Sequence, residues 1–119
     1  MPARSLSSSV LRWPNKDEVV SSLLEWAKTI VEKRNDIVKI GYFGSYARGD
    51  WGVGSDLDVV IIVKDSKLPF EKRAVEFDTT QMVVPVDLVV YTQLEFEKMK
   101  ASGSSFIKMI EKEVQWVYR

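Results

Sequence analysis

The 119-residue sequence contains no cysteine and no histidine. Without cysteine there is no disulfide, no thiolate nucleophile and no cysteine-bound zinc site. Without histidine a Ser-His-Asp triad and imidazole metal ligation are both excluded. Catalysis by this chain would therefore have to use carboxylates, lysine, tyrosine, serine or a metal ion held by oxygen ligands. Oxygen ligands suit Mg²⁺ or Mn²⁺.

The chain also lacks an excess of either charge and any long apolar run. Seventeen basic residues balance seventeen acidic ones, whereas dedicated nucleic-acid binders usually carry a basic excess. We therefore expect no nucleic-acid partner, although a local phosphate site stays possible. No stretch reaches the length of a membrane span or forms the apolar core of a signal peptide. The expected location is the cytoplasm, with no membrane partner.

The length and composition predict one globular domain. Residues 1–14 (MPARSLSSSVLRWP) have no acidic side chain and are faintly like a transit peptide. We expect them to form a loosely ordered leader, followed by a single domain over residues 15–119.

Periodicity and capping signals predict an α+β fold of the two-layer type, with a mixed sheet of three to five strands packed against helices. Asn15 with Glu18, and Thr92 with Glu95, are spaced as helix capping pairs. The unbroken apolar run LDVVIIV predicts a strand that is buried on both faces. The predicted helices are 16–33, 71–82, 93–101 and 104–112, and the predicted strands are 37–43, 57–63, 86–92 and 114–119.

Connection lengths then place three acidic residues at one edge of the sheet. About a dozen residues separate the first two strands, which favours antiparallel pairing, and the longer linker 64–84 can hold a crossover helix between parallel strands. The end of the first strand should therefore meet the starts of the second and third. Asp56 and Asp58 share one face of a strand, and Asp87 begins the next.

Three carboxylates that close together would repel one another unless a multivalent cation lay between them. Paired Mg²⁺ ions are one solution in phosphoryl-transfer sites. Taken singly, each acid has a plainer explanation: Asp56 could be a turn residue, and Asp87 could be an edge-strand acid that faces water. Neither explanation accounts for Asp56, Asp58 and Asp87 together.

The segment after the first strand predicts an anion site. Gly44 allows close approach of the backbone to a phosphate, and a short helix starting at Ser45 would present free N–H groups. Arg48 could add a charge-assisted contact or could be a solvated surface charge. Trp51, within the same loop, could stack on a base, contact a partner or lie exposed. The loop has no P-loop lysine, and Leu57 stands where a dinucleotide-binding loop needs glycine.

Gly44-Ser45, ten residues and Asp56-Leu57-Asp58 read G-S-x10-D-x-D. This pattern resembles the minimal nucleotidyltransferase domain of the DNA polymerase β-like nucleotidyltransferase superfamily. The segment PVDLVVYT resembles the strand that carries the third acid of that family, and the resemblance extends from about Asp17 to the C-terminus.

The resemblance implies that Asp56 and Asp58 bind two Mg²⁺ ions and that Asp87 is the third ligand and the general base. It also implies that Gly44 and Ser45 bind nucleotide phosphates. The reaction would be attack of an acceptor hydroxyl on the α-phosphate of a nucleoside triphosphate, with AMP from ATP as the expected group.

Minimal members of the family are often antitoxins that pair with a helical HEPN-domain toxin, and some attach AMP to a toxin tyrosine. Because larger members carry extra domains that hold the acceptor, we expect a HEPN-domain partner to present the hydroxyl here. Two alternatives stay open. The domain could neutralise a toxin by contact alone, or it could modify a small molecule such as an aminoglycoside, with a homodimer supplying the acceptor-binding half.

Overall fold

The structure is a computed structural model that describes residues 12–119. Its order of elements is α1 Lys16–Lys33, β1 Ile37–Phe43, α2 Ser45–Arg48, β2 Leu57–Val63, a 3-10 helix Phe70–Glu76, β3 Val86–Thr92, α3 Gln93–Ala101, α4 Ser105–Glu113 and β4 Gln115–Tyr118. The strands form one mixed sheet in the order β3-β2-β1-β4. The predicted α+β class and mixed sheet are confirmed.

Helix α1 begins and ends where the sequence predicts. The Asn15 side chain accepts a hydrogen bond from the Glu18 N–H, and the Glu18 carboxylate accepts one from the Asn15 N–H. Such a cap is worth about 1 kcal/mol. The second predicted cap, Thr92 with Glu95, opens α3 in the same way.

The strand directions follow the connection lengths. β1 pairs antiparallel with β2, and β2 pairs parallel with β3. In this register Phe43 lies opposite Asp58, and Asp58 lies opposite Asp87. The end of β1 and the starts of β2 and β3 therefore meet at one edge, as predicted.

Helices cover both faces of the sheet, so alternate residues of β2 pack into two different hydrophobic cores. Val59 and Ile61 pack with the α1 side chains Leu23 and Trp26. Val60 packs instead with α3, α4 and neighbouring strand residues. This confirms burial of β2 on both faces. It also means that helices lie on each side of the sheet, whereas a two-layer arrangement would place them on one side.

The predicted helix over residues 71–82 is wrong in type and length. The chain forms a 3-10 helix that ends at Glu76. Two residues later the Asp78 side chain accepts hydrogen bonds from the N–H and the hydroxyl of Thr80, a local turn that competes with helix continuation. The Asp78 carbonyl accepts a third bond from the Trp26 indole N–H at 2.7 Å, which ties this turn to α1.

A buried arginine holds the 3-10 helix against β3 and α3. Arg73 is only 5% exposed. Its guanidinium donates to the Leu68 and Val90 carbonyls and forms a bidentate pair with Glu95. Charge-assisted pairs of this kind are among the stronger polar contacts in proteins. Glu95 also caps α3, so one carboxylate fixes two elements.

The predicted leader falls mostly outside the described residues. Within its last part, the Trp13 indole packs against the α1 side of the core and donates a hydrogen bond of 3.0 Å to the Tyr46 hydroxyl. Among residues 12–119, no helix combines the length and the apolar character that crossing a bilayer would require.

Candidate active site

A cleft of about 510 Å³ opens at the edge where β1 ends and β2 and β3 begin. All six of the predicted site residues line it: Gly44, Ser45, Arg48, Asp56, Asp58 and Asp87. The remaining lining residues are Phe43, Ser55, Val89, Phe106 and Met109. The cleft thus has a polar wall from the strand edge and the β1–β2 loop, and a partly apolar wall that includes two side chains of α4.

The parallel ladder brings the acids together. Asp58 and Asp87 are direct partners in the register of β2 and β3. Asp56 immediately precedes β2, and the adjacent Leu57 N–H donates to the Pro85 carbonyl at 2.9 Å, which joins the starts of the two strands. Asp58 is partly buried, whereas Asp56 and Asp87 are exposed. The three acids therefore lie at the edge of the sheet where the connection lengths predicted them.

The pKa of Asp58 reflects the proximity of the other two acids, Asp56 and Asp87. Burial raises the pKa of the Asp58 carboxyl, and the negative charges of Asp87 and Asp56 raise it further. The Arg48 guanidinium acts in the opposite direction, and Glu113 adds a smaller upward effect. A cation in the cleft would relieve this repulsion.

The donor set suits Mg²⁺ in its chemistry, since carboxylate oxygens are the ligands that this ion prefers. Within residues 12–119, however, no three acidic side chains are gathered closely enough to form a ready-made metal site. The acids line one cleft, and the pairing of Asp58 with Asp87 in the strand register sets the backbone positions of two of them.

Gly44 is required by the geometry of the acids as well as by access to a phosphate. Its backbone (φ 75°, ψ −151°) lies in a region that is essentially restricted to glycine. A Cβ atom at this position would lie 2.1 Å from Oδ2 of Asp58 and 3.0 Å from its Cγ. The Asp58 carboxylate thus rests against the bare Cα of Gly44, a contact that the sequence motif alone did not reveal.

Helix α2 starts directly after Gly44 and places Arg48 at the cleft. The Gly44 carbonyl accepts hydrogen bonds from the N–H groups of Ala47 and Arg48. The Arg48 guanidinium pairs with Asp50 at 3.1 Å and with Glu113 at 3.2 Å. Arg48 is therefore neither a free surface charge nor directed only at the cleft.

Glu113 is a site residue that the sequence did not predict. It is the last residue of α4, and its Oε1 accepts a hydrogen bond of 3.2 Å from the Gly44 N–H. It lies 69 positions from Gly44 in the chain. Its approach depends on the pairing of β4 with β1, and no local motif signals that contact.

Trp51 supports the β1–β2 loop from within. Its ring stacks on Tyr46 with centroids 5.3 Å apart and planes inclined by 10°. The Tyr46 hydroxyl donates to the Ser55 carbonyl at 3.3 Å and accepts from the Trp13 indole. Trp51 is partly buried and is not among the residues that line the cleft, so the exposed-loop alternative is wrong.

Comparison with known proteins gives a consistent result. Residues 24–117 match the family model described as a nucleotidyltransferase domain. A relative from Methanocaldococcus jannaschii, named "Putative protein adenylyltransferase", is 31% identical over 97 residues, which cover 79% of this chain and 93% of that protein.

Two solved structures match this chain to different degrees. A "putative nucleotidyltransferase from Sulfolobus solfataricus" has a TM-score of 0.58 at 20% identity, covering 70% of this chain and 75% of that one. A toxin–antitoxin structure with AMP-PNP has a TM-score of 0.48 at 17% identity, covering 88% of this chain and 73% of that one. Because the family model matches well over half of its residues, this chain belongs to the nucleotidyltransferase domain family.

Proposed function

We propose that this protein transfers AMP from ATP to a hydroxyl group on another protein. The observation that carries the proposal is the convergence of Gly44, Ser45, Arg48 and the three aspartates on one cleft. The name of the M. jannaschii relative supports a protein as the acceptor. The resemblance to minimal antitoxin domains adds a more specific expectation, a tyrosine of a HEPN-domain toxin.

The residues of the strand edge would hold the metal. Asp56, Asp58 and Asp87 would supply the oxygen ligands for two Mg²⁺ ions, which would stabilise charge on the phosphates and lower the pKa of the attacking hydroxyl. Because the acids are set by the β2–β3 ladder, the fold restricts their positions before any ligand arrives. This kind of positioning is the main contribution a protein makes to phosphoryl-group chemistry.

The loop residues would hold the nucleotide. The Gly44 N–H, the Ser45 hydroxyl and the Arg48 guanidinium are donors suited to the oxygens of the β- and γ-phosphates. The acceptor oxygen forms a bond to the α-phosphorus, and the bond from that phosphorus to the bridging oxygen of the β-phosphate breaks, so pyrophosphate leaves. Donors fixed on the loop would balance the charge on this leaving group.

Asp87 is the proposed base. Its carboxylate is exposed at the start of β3, where it can accept the proton from an incoming hydroxyl. Asp58 is more buried and lies between Gly44 and Asp87, a position better suited to a ligand than to contact with a bulky acceptor. The two paired residues thus have different proposed roles because their surroundings differ.

The test is incubation of the purified protein with ATP, Mg²⁺ and the product of the adjacent gene, which the proposal expects to be a HEPN-domain protein, followed by intact-mass measurement. We expect the partner to gain the mass of one AMP, and a tyrosine substitution in the partner should abolish the gain. Asp58→Asn and Asp87→Asn serve as inactive controls. No AMP on the partner, and none on small hydroxyl acceptors, would contradict the proposal.

The same experiment separates catalysis from neutralisation by contact. The double variant Asp56→Asn, Asp58→Asn removes two proposed metal ligands but keeps side chains of nearly the same size and shape, so a docking surface around the cleft should persist. If this variant still neutralises the partner in full, contact is sufficient and the transferase proposal loses its biological role. If neutralisation is lost while complex formation persists, catalysis is required.

A further inference from the structure

Glu113 occupies donors that the proposed function assigns to a phosphate. Its Oε1 accepts from the Gly44 N–H at 3.2 Å and from Nη1 of Arg48 at 3.2 Å, and its Oε2 lies 3.3 Å from the same nitrogen. A carboxylate and a phosphate present similar oxygens to such donors. The Glu113 side chain, which is 17% exposed, therefore engages these two donors from the end of α4.

The negative charge of Glu113 lies in an unfavourable electrostatic environment. Glu113 is the last residue of α4, where the partial negative charge of the helix end disfavours an acid. Its charge also contributes to the raised pKa of Asp58, after the larger effects of burial and of Asp87 and Asp56. Arg48 and the Gly44 N–H offset this cost only while Glu113 stays bound to them.

The backbone beneath Glu113 is held from the other side. Val114 and Trp116 pack directly over Gly41 of β1, where an added Cβ would lie 2.8 Å from Cγ2 of Val114 and 2.7 Å from Cε3 of Trp116. The Lys39 ammonium lies 5.0 Å from the centre of the Trp116 ring. Because these contacts hold the backbone next to Glu113 in place, release of the two donors would come from rotation of the Glu113 side chain.

We propose that Glu113 is an internal competitor for the nucleotide phosphates. In the absence of nucleotide its carboxylate holds Gly44 and Arg48. When a nucleotide binds, the side chain rotates away and the phosphate oxygens take its hydrogen bonds. This inference rests on the proposed function, because it takes the Gly44–Arg48 donors as the phosphate site. It assigns Glu113 a role in setting nucleotide affinity rather than in the transfer step.

The experiment compares Glu113→Gln with the matched control Glu111→Gln. Glu111 lies on the same helix and pairs with Lys100 on the surface, so both variants lose one negative charge from α4. The probe is AMP-PNP with Mg²⁺, and Kd is measured by calorimetry. Since bonds to charged groups are strong, we expect Glu113→Gln to lower Kd roughly tenfold. Glu111→Gln should leave it within about twofold, as exposed pairs contribute little.

A second variant and a second measurement keep the test independent of folding. Glu113→Ala removes the carboxylate entirely and should lower Kd in the same direction. In the wild type, the amide resonance of Gly44 in a ¹⁵N-correlated spectrum should move when AMP-PNP is added. In Glu113→Gln that resonance should already differ before the addition.

The outcomes distinguish failure of the competitor role of Glu113 from failure of the proposed function. Equal Kd values for wild type and both Glu113 variants would overturn the competitor role and leave the proposed function standing. Weaker binding by Glu113→Gln would also overturn it, because Glu113 would then support the phosphate site. If neither wild type nor any variant binds AMP-PNP, the proposed function fails and the inference fails with it.

Discussion

Replacing Gly44 with alanine tests the contact between the loop and the acids. The backbone at Gly44 has φ 75° and ψ −151°, a conformation that costs a residue with a side chain about 1–3 kcal/mol. The new methyl group would also lie 2.1 Å from Oδ2 of Asp58, so the carboxylate must rotate away. Displacement of a reacting group by about 1 Å can lower a rate by about 100-fold. We therefore expect a modest loss of stability and a large loss of transfer.

Gly49→Ala is the matched control for this experiment. Gly49 also has a positive φ, 91°, but a Cβ atom there would meet nothing within 4 Å. Both variants should lose free energy of unfolding through backbone strain, measured by urea denaturation, and Gly44→Ala should lose more because Gly49 has the left-handed helical conformation and open space around it. Transfer of AMP to the partner, measured as an initial rate, should fall about 100-fold in Gly44→Ala and stay near the wild-type rate in Gly49→Ala.

The comparison also defines the result that would refute the reasoning. If Gly44→Ala is as active as Gly49→Ala while both are folded, the position of the Asp58 carboxylate does not limit the reaction. If Gly44→Ala is inactive but binds Mg²⁺ and AMP-PNP with wild-type affinity, the defect lies elsewhere than in the metal ligands.

Three further predictions concern charge and loop support. Asp58→Asn should abolish transfer and should raise the unfolding temperature at neutral pH. Burial and the charges of Asp87 and Asp56 raise the pKa of Asp58, so its contribution to stability is present below its ordinary pKa and is lost as pH rises through the folded-state value. Asparagine stays uncharged and does not incur that loss. The Arg73 guanidinium lowers the pKa of Glu95 from 4.5 to about 2. Glu95 should therefore stabilise the fold above pH 4.5 and lose this contribution as pH falls toward 2. Acid titration followed by circular dichroism should show this step in the wild type and not in Glu95→Gln. Tyr46→Phe removes the acceptor of the Trp13 indole and should cost about 1–2 kcal/mol of unfolding free energy; a urea midpoint equal to that of the wild type would contradict this.

The helix and strand boundaries were predictable because their signals are local. The capping pairs at Asn15 and Thr92 and the apolar run of β2 each determine structure within a few residues. The convergence of the acids was also predictable, because connection lengths determined which strand ends meet. Asp58 and Asp87 could be placed together without any knowledge of side-chain contacts.

The remaining features depend on contacts that are distant in the chain. Glu113 reaches Gly44 only because β4 pairs with β1, and no sequence spacing encodes that approach. The segment after Glu76 has helical periodicity but ends in a turn, because the Asp78 side chain and the Trp26 indole take up its polar groups. Glu113 is held by a tertiary hydrogen bond, whereas the segment after Glu76 is set by a local turn together with the tertiary bond from Trp26.

The sheet order gives the proposed reaction a direction of approach. Among the residues that the structure describes, β3 is the outermost strand on its side. Asp87 therefore lies at the edge of the sheet, while Asp58 has a strand on either side. A hydroxyl carried on the surface of a large folded molecule can reach Asp87 without any opening of the domain. Turnover would then be governed by the docking of two preformed surfaces rather than by a hinge motion within this one.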